Sequence, residues 1–304
     1  MAEPAEGDRR AGFVALIGAP NVGKSTLINA LVGAKVSIVT PKVQTTRRLI
    51  RGIAIDGAAQ LIFVDTPGIF SPRRRLDRAM VGTAWASTQD ADVVALVIDA
   101  KKGVRDDDEA ILRALSDVRA PKVLVLNKVD LVAKPALLKL TQTLNERVTL
   151  AATFMISALS GDGVADLKTW LAAHLPAGPW LYPEDQISDA PLRQLAAEIT
   201  REKLYLRLHQ ELPYQSTVET DVWKELKGGA VRIEQTIYVE RDSQRKIVLG
   251  KSGQAIKAIG AAARADIAKA IEQPVHLFLH VKVREGWGDD PERYREMGLE
   301  FPKE

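Results

Sequence analysis

The chain has 304 residues, a formal net charge of +3 and a hydrophobic content of 46%, and it contains no cysteine. This length and apolar content suit two domains, each with its own core. The lack of cysteine excludes disulfides, thiolate zinc sites and a cysteine nucleophile, and the four histidines show no metal-ligand spacing. No run of about 18 apolar residues predicts a membrane span, and residues 1–12 lack the apolar centre of a signal peptide. We therefore expect a cytoplasmic, globular protein.

The first predicted element is an apolar strand, residues 13–17, which leads into a glycine-rich loop and then a helix. The loop fits the pattern Gly, four residues, Gly-Lys-Ser, in which backbone N–H groups and the helix N-terminus face an anion. Lys24 would contact the β and γ phosphates, and the Ser25 hydroxyl can ligate Mg²⁺. An ordinary glycine-rich turn is the structural alternative. The predicted nucleotide-binding residues are Gly18, Ala19, Pro20, Asn21, Val22, Gly23, Lys24, Ser25 and Thr26.

A long polar loop, residues 36–48, is followed by two predicted strands, residues 49–56 and 60–64. The second strand ends in Asp65-Thr66-Pro67-Gly68, and a second polar loop with three arginines, residues 73–75, comes after it. Asp-x-x-Gly alone is a common turn, but behind a phosphate loop at this separation it predicts part of a nucleotide site. Asp65 would hold Mg²⁺ through water, and Gly68 would offer its N–H to the γ phosphate.

Strands and helices then alternate. The next strand, residues 92–98, is a near-continuous apolar run of the kind that parallel sheets bury on both faces. The elements that follow are helix 106–116, strand 122–126, helix 135–147, strand 153–156 and helix 164–174. This alternation predicts a doubly wound α/β domain, in which ligands bind at the carboxyl ends of the strands.

The sequence Asn127-Lys128-Val129-Asp130 follows one of these strands. Asp130 can accept hydrogen bonds from both the N1–H and the exocyclic amine of guanine, whereas adenine has no matching pair of donors. We expect a buried carboxylate here, because such a group rejects a base that leaves it unpaired. A polar helix-capping loop is the alternative. Ser157, Ala158 and Leu159 end the next strand, where the Ala158 N–H would support the guanine.

A second domain is predicted after a proline-rich stretch that cannot continue a helix, Pro176-Ala177-Gly178-Pro179. Its predicted elements are helix 192–211, strands 216–224 and 231–240, a helix ending near residue 249, helix 254–271 and strand 276–283.

The loop Gly250-Lys251-Ser252-Gly253 joins the last two helices of this domain. Residues 241–270 around it hold seven basic residues against two acidic ones, a local charge of +5. Glycines let a nucleic-acid backbone approach closely while lysine neutralises phosphate, so the loop predicts RNA binding. The structural alternative is a helix-turn-helix corner whose basic face is simply exposed to solvent. The predicted RNA-binding residues are Gly250, Lys251, Ser252, Gly253 and Lys257.

The phosphate loop together with the motifs beginning at Asp65, Asn127 and Ser157 resembles the translation-factor-related GTPases. The form Gln44-Thr45-Thr46-Arg47 and the second domain resemble the Era family of bacterial ribosome-assembly GTPases. The resemblance implies a P-loop GTPase domain with a Ras-like doubly wound sheet, followed by an α+β type II KH domain. The implied division is a flexible N-terminus at 1–11, the GTPase domain at 12–178, a linker at 179–191, the KH domain at 192–285 and a tail helix at 286–304.

The resemblance also implies how GTP is hydrolysed. Thr46 would reach Mg²⁺ when the γ phosphate is present, with Thr45 as the competing choice, so the implied metal ligands are Ser25, Thr46 and Asp65. Ras-like enzymes place a water-orienting glutamine where this chain has Ile69. Intrinsic hydrolysis should therefore be slow, with Lys24, Asn21, Thr46 and Gly68 as the catalytic residues. Asn21 would recruit K⁺, or else make only a local turn hydrogen bond.

The partners implied by the resemblance are GTP and GDP, the single-stranded 3′ end of 16S rRNA, the 30S ribosomal subunit and a peripheral contact with the inner membrane. The implied function is a GTP-driven switch in 30S assembly. Two alternatives remain from the residues: a guanine-nucleotide-dependent metabolic phosphotransferase, and an RNA-binding scaffold with a vestigial nucleotide site. The intact Lys24, Ser25 and Asp65 disfavour the second of these.

Overall fold

The computed structural model describes residues 8–42, 45–72, 74–208, 215–286 and 290–302. Several features of the sequence interpretation lie outside these residues: the start of the N-terminus at 1–7, Gln44, Arg73, the end of the predicted helix at Glu211, and the end of the tail at 303–304. The chain divides into two compact units. The first unit is Met1–Ser37, Thr46–Asp189 and Met297–Glu304, and the second is Ile38–Thr45 and Ala190–Glu296.

The first unit is built on a six-stranded sheet with the strand order β2-β3-β1-β4-β5-β6. Only the β2–β3 pair is antiparallel, and all other neighbours run parallel. The strands are β1 (Arg10–Ile17), β2 (Ile50–Asp56), β3 (Ala59–Asp65), β4 (Val93–Asp99), β5 (Lys122–Asn127) and β6 (Ala152–Ile156). The helices are α1 (Lys24–Val32), α2 (Arg75–Gln89), α3 (Asp106–Ala114), α4 (Lys134–Asn145) and α5 (Val164–His174). The predicted doubly wound α/β fold is thereby confirmed.

The apolar runs of β3 and β4 lie at the centre of this unit and are buried at every position. Each central strand is covered on both faces, which is why these strands read as continuous apolar segments rather than as alternating ones. The predicted polar motifs follow at the carboxyl ends of β1, β3, β5 and β6. The sheet therefore gathers the motifs at one edge.

Helix α2 was not predicted from the sequence, which placed Arg75 in a polar loop. Its buried stripe is Asp77, Met80, Ala84 and Thr88, at helical spacing. Most of these side chains are small or polar, so the stripe lacks the apolar signal that marks the other helices. The Asp77 carboxylate accepts a hydrogen bond from the Arg74 N–H over 2.9 Å and so helps to start the helix.

The segment predicted as a linker packs largely on the first unit. Residues 177 and 188 form isolated bridges with β1 and β2, and the Gln60 side chain bonds the backbone of Leu181 and Tyr182. Because β2 is an edge strand, this segment covers backbone groups that would otherwise be unpaired. Strand β1 also begins at Arg10, inside the stretch predicted to be flexible.

The second unit has a three-stranded sheet in the order β7-β8-β9, where β7 and β8 are antiparallel and β8 and β9 are parallel. Its strands are β7 (Ser216–Glu225), β8 (Val231–Val239) and β9 (Val275–Val283), and its helices are α6 (Leu192–Arg207), α7 (Asp242–Leu249), α8 (Gln254–Ile271) and α9 (Pro291–Glu296). This is the order of elements that the sequence predicted for the second domain. Among the described residues of the tail, only α9 is helical, and the segment from Met297 onward groups with the first unit instead of extending the predicted helix.

Residues Ile38–Thr45 also belong to the second unit, where they lie on α6. The Val39 N–H donates to the Glu202 carboxylate over 2.9 Å, and the Arg201 guanidinium donates to the Thr45 carbonyl over 2.5 Å. Lys42 donates to carbonyls at the end of α6, those of Tyr205 and Leu208.

Across the described residues, no helix is both long and apolar enough to cross a membrane.

Candidate nucleotide-binding and RNA-binding sites

The phosphate loop connects β1 to α1 and is held by the core beneath it. Ala19 and Val22 are buried. Gly23 has a φ of 102°, and a Cβ there would lie 2.2 Å from the Asn127 side-chain nitrogen, so only glycine fits this position. Three further residues of the predicted set are half-buried, namely Pro20, Asn21 and Thr26. The loop is therefore shaped by packing from outside it as well as by its own glycines.

Lys24 is buried at the start of α1. Its Nζ donates to the carbonyls of Gly18 over 2.9 Å and of Ala19 over 3.2 Å. Burial lowers the pKa of Lys24 to about 8, although the charges of Asp65 and Asp108 act in the opposite direction. The carboxylates of Asp65 and Asp108 compensate the charge of this ammonium only in part. A bound phosphate beside it would add the missing negative charge.

Asp65 gathers three hydroxyl groups around one carboxylate oxygen. Its Oδ2 accepts from Ser25 over 2.7 Å, from Ser37 over 2.6 Å and from Thr46 over 3.4 Å. The Ser25 and Thr46 hydroxyls are 3.0 Å apart. Burial raises the pKa of Asp65, and the hydroxyl hydrogen bonds, led by that of Ser37, lower it. The structure thus brings together all three predicted metal ligands, and Ser37 was missed.

The arrangement fits Mg²⁺. Among the described residues, the second carboxylate oxygen of Asp65 is buried without a hydrogen-bond partner. Mg²⁺ prefers a few hard oxygen ligands completed by water and phosphate, and hydroxyls beside a carboxylate supply them. Of the two competing threonines, Thr46 lies at this carboxylate, while the Thr45 hydroxyl donates to the Lys42 carbonyl over 2.8 Å.

Gly68 and Ile69 lie beside the phosphate loop. The Ile69 N–H donates to the Gly18 carbonyl over 3.1 Å, and the Ile69 side chain is buried in the core of the first unit. The sequence predicted that Ile69 cannot orient water by hydrogen bonding. Because the side chain is buried in the core, it points away from the site. Other groups would have to orient a water molecule beside Gly68.

Asn127 ties the predicted guanine loops to the phosphate loop. Its Nδ2 donates to the Val22 carbonyl over 2.8 Å. Its Oδ1 accepts from the Lys128 N–H over 2.8 Å and from the Ala158 N–H over 3.0 Å. Asn127 and Ser157 are buried, and Leu159 is exposed. Three loops that are distant in sequence therefore meet at one buried amide.

Two expectations for the guanine loops need correction. Asp130 was expected to be a buried carboxylate, but it is exposed, and its side chain has no hydrogen bond within the described part of the chain. None of the residues that the structure describes covers the Asp130 side chain, so a bound base would have to bury it. The Ala158 N–H, expected to face the base, is bonded to Asn127 instead.

Asp99 is a further residue that sequence reasoning missed. The Lys128 ammonium donates to Asp99 and to the Asn21 carbonyl, each over 2.7 Å. Asp99 is buried at the end of β4. It follows an apolar run just as Asp65 and Asn127 do, so the same signal that identified those two could have identified Asp99.

In the second unit, the Gly250–Gly253 loop separates α7 from α8. A Cβ on Gly250, whose φ is 70°, would lie 2.6 Å from the Ala255 Cβ, so the turn needs glycine. Lys251, Ser252 and Lys257 are exposed. Within the described residues, neither lysine side chain has an ion-pair partner, so both charges remain available to an anion.

A groove of about 420 Å³ runs between α8 and β9 next to this loop. On α8 its wall is a stripe at helical spacing, and on β9 it is a run of four residues. The lining residues are Ile256, Lys257, Gly260, Ala261, Arg264, Leu277, Phe278, Leu279 and His280. Lys257 was predicted among these. The residues of β9 were missed, because a groove needs two elements whose pairing the sequence does not state.

Comparisons with known proteins identify both domains. Residues 13–128 match the family model described as 50S ribosome-binding GTPase, and residues 211–288 match the model described as KH domain. The chain is 70% identical over 295 residues to GTPase Era of Afipia carboxidovorans, covering 97% of this chain and 96% of the relative. It is 69% identical to GTPase Era of Rhizobium meliloti, covering 97% and 94%.

The chain belongs to the Era family of GTPases. It therefore hydrolyses GTP, and the prediction of an enzyme is confirmed. A crystal structure of Era in complex with MgGDPNP and nucleotides 1506-1542 of 16S ribosomal RNA is similar over 95% of this chain and 99% of that one, with a TM-score of 0.90 at 39% identity. Neither the phosphotransferase nor the vestigial-site alternative finds support in these relatives. The individual site residues stay predictions.

Proposed function

We propose that this chain is a GTP-driven switch that binds the single-stranded 3′ end of 16S rRNA and acts in assembly of the 30S subunit. The observation that carries the proposal is the meeting of Ser25 and Thr46 at Asp65, 2.7 and 3.4 Å from one carboxylate oxygen. Ser25 follows the phosphate loop and Thr46 lies in the first polar loop. GTP with Mg²⁺ would hold these loops together, and hydrolysis would release them.

At the nucleotide, Ser25 and Thr46 would ligate Mg²⁺ and Asp65 would hold it through water, using the carboxylate oxygen that lacks a partner in the described residues. When bound, Mg²⁺ neutralises charge on the phosphates. Lys24 would turn from the loop carbonyls toward the β and γ phosphates, and the Gly68 N–H would contact the γ phosphate. With Ile69 buried, hydrolysis depends on these charges and dipoles and is slow.

K⁺ is proposed as a second cation, held through Asn21. The support is the family resemblance and the position of Asn21 in the phosphate loop, where its backbone has a φ of 64° and its carbonyl accepts from Lys128 over 2.7 Å. Hydrolysis should be faster in potassium than in sodium buffer at equal ionic strength, and the Asn21→Ala variant should lose that difference. Equal rates in both salts for the native chain would leave Asn21 with the local turn role alone.

Guanine selectivity is assigned to Asp130. Its exposed carboxylate is open to a base that donates two hydrogen bonds, and binding would bury it. Asp130→Asn should weaken GTP binding by about 10- to 100-fold, because an unpaired buried donor costs about 1–3 kcal/mol. The same variant should gain affinity for xanthosine triphosphate, which offers a carbonyl where guanine has an amine. A variant that loses both nucleotides equally would point to a structural defect.

For RNA, the Gly250–Gly253 loop and the groove between α8 and β9 are proposed as the binding site. Lys251 and Lys257 would contact phosphate, while Gly260 lets a base approach the groove floor. A KH groove holds about four single-stranded nucleotides. The Era structure bound to nucleotides of 16S rRNA supports this ligand for the present chain.

The test is GTP hydrolysis in potassium buffer, with and without a single-stranded RNA matching the small-subunit 3′ end, on the intact chain and on Gly253→Asp. RNA should accelerate hydrolysis by the intact chain and leave the variant unchanged, because the added carboxylate repels phosphate. If RNA binds tightly to the intact chain but never alters hydrolysis, the nucleotide and RNA sites work independently. The switch proposal would then be wrong.

Contact with the 30S subunit and a peripheral contact with the inner membrane stay predictions of the resemblance. Co-sedimentation with 30S particles and with anionic vesicles, each in the presence of GDPNP or GDP, would measure them separately. The switch proposal requires that 30S binding differ between the two nucleotides.

A further inference from the structure

The outer face of the KH sheet carries a second feature suited to single-stranded RNA. In β9, Leu277 and Leu279 pack against the helices. Because side chains alternate along a strand, Phe278 points to the opposite face of the sheet. Phe278 is 46% exposed there. The same face carries three exposed residues at alternate positions of β9, which are His276, His280 and Lys282. The face next to β9 therefore combines an aromatic ring with polar and basic side chains.

Arg232, on the neighbouring strand β8, makes a cation–π contact with Phe278. Its guanidinium carbon lies 4.8 Å from the centre of the Phe278 ring. Arg232 also pairs with Glu234, which stands directly opposite Phe278 in the β8–β9 register, over 2.7 Å. The ring and the guanidinium are thus positioned together, and both kinds of planar group stack on nucleobases.

This face is continuous with the proposed RNA groove. Phe278 and His280 belong to the residues that line the groove, and β9 is the edge strand of the three-stranded sheet. An RNA strand that fills the groove lies along the β9 edge and needs to cross only one strand to reach the outer face. Single exposed apolar residues are common on protein surfaces. The stacked Arg232 and the shared groove distinguish Phe278 from a residue such as Val222, which is exposed on β7.

We propose that Phe278 and Arg232 form a stacking platform for a base of the same single-stranded RNA, outside the nucleotides held in the groove. The proposal rests on the proposed function, since it extends the RNA site of the KH unit. Stacking tolerates any base, so the platform adds affinity and a longer footprint without adding sequence selectivity.

The test compares two RNAs from the small-subunit 3′ end, one of about four nucleotides that only fills the groove and one of about ten that extends beyond it. Fluorescence anisotropy is measured on the native chain, Phe278→Ala, Val222→Ala and Gly253→Asp. Phe278→Ala should weaken binding of the longer RNA by about 5- to 100-fold, because the loss of one stacked base costs that much affinity. Since Phe278 also lines the groove, the shorter RNA should lose some affinity as well, but much less than the longer one. Val222→Ala is the matched control on the same face and should change neither affinity.

Phe278→Trp supplies a second readout. It should keep the affinity of the native chain for the longer RNA. The fluorescence that it adds to that of the five native tryptophans should be quenched more strongly by the longer RNA than by the shorter one. If Phe278→Ala binds both RNAs like the native chain while Gly253→Asp binds neither, the groove is right and the platform is wrong. If the native chain binds neither RNA, the proposed RNA function itself fails. A loss that Phe278→Ala shows for both RNAs equally would also overturn the platform.

Discussion

The Asn127 side-chain amide donates a 2.8 Å hydrogen bond to the Val22 carbonyl, so the loop predicted to read the base is fastened to the loop predicted to hold the phosphates. The two residues are more than a hundred positions apart in sequence. Because Asn127 is buried, this bond is not in competition with solvent. The relative position of the two loops is therefore set before a nucleotide arrives.

Asn127→Ala should weaken the binding of both GTP and GDP by about 10- to 100-fold. The reason is that the carbonyl of Val22 and the N–H of Ala158 lose their partner, at a cost of about 1–3 kcal/mol for each buried group left unpaired. Titration with a fluorescent GDP analogue measures the effect. Asn145→Ala removes an exposed amide on α4 and should change nothing. Loss of GTP affinity alone would contradict the role of Asn127 as a joint between the loops.

Ser37 should prove important although no motif includes it. Its hydroxyl donates to the buried Asp65 carboxylate over 2.6 Å, and hydrogen bonds to charged groups contribute about 1.5–3 kcal/mol. Ser37→Ala should lower the free energy of unfolding by about that amount, measured by urea denaturation. Ser116→Ala, whose hydroxyl makes an exposed bond to the Arg113 carbonyl, serves as the control and should stay within about 0.5 kcal/mol of the native chain. Equal effects for both serines would refute the special role of Ser37.

Lys24 should make the nucleotide-free protein more stable as the pH rises above 8. Burial lowers the pKa of Lys24 from its ordinary value of 10.5 to about 8. Below pH 8 the group is charged in both states, and its burial destabilises the fold. Between pH 8 and 10.5 the unfolded chain binds more protons than the folded one, so the free energy of unfolding rises with pH, by roughly 3 kcal/mol at most. Above 10.5 the gain is complete.

The measurement is urea denaturation from pH 7.5 to 10.5, on the native chain and on Lys24→Met. The difference between the two proteins should change across this window, because the variant lacks the titrating ammonium. Saturating GTP with Mg²⁺ should remove the rise in the native chain, since phosphate keeps Lys24 protonated. A difference that does not vary with pH would mean that Lys24 keeps its charge in the folded, nucleotide-free protein.

Arg201 should be among the most sensitive positions of the second unit. It is buried on α6, paired with Glu198, and donates to the Thr45 carbonyl. Arg201→Met removes the ion-pair partner of the buried Glu198 carboxylate and should cost about 3–5 kcal/mol in the free energy of unfolding. Replacing Glu198 by leucine as well should restore most of that loss, because a well-packed apolar pair replaces a buried ion pair at little cost. A double variant as unstable as Arg201→Met would contradict this account.

The same helix predicts a local effect on residues 38–45. Glu202→Ala removes the acceptor of the Val39 N–H, so hydrogen exchange should accelerate at Val39. Glu225→Ala, at the exposed end of β7, is a control that should leave this amide unchanged.

Much of the nucleotide site was predictable because its signals are local. The loop from Gly18 to Ser25, the carboxylate of Asp65 and the segment from Asn127 to Asp130 each follow an apolar run, and parallel strands place their carboxyl ends together. The alternation of apolar strands and amphipathic helices likewise predicted most of the elements of the first sheet and its helices. Helix α2 escaped prediction, since alanine and threonine form much of its buried stripe and carry little apolar signal.

The pairings between segments that are distant in sequence were decided only by the tertiary structure. Backbone propensity and spacing act over a few residues, whereas the partners of Ser37, Asp99 and Phe278 come from segments distant in sequence. Thr45 and Thr46 are adjacent in sequence and chemically alike, yet only Thr46 lies at Asp65. The exposure of Asp130 was likewise invisible, because burial depends on what the rest of the chain places over a side chain. The sequence by itself determined which chemistry is present, and folding determined which of its groups meet.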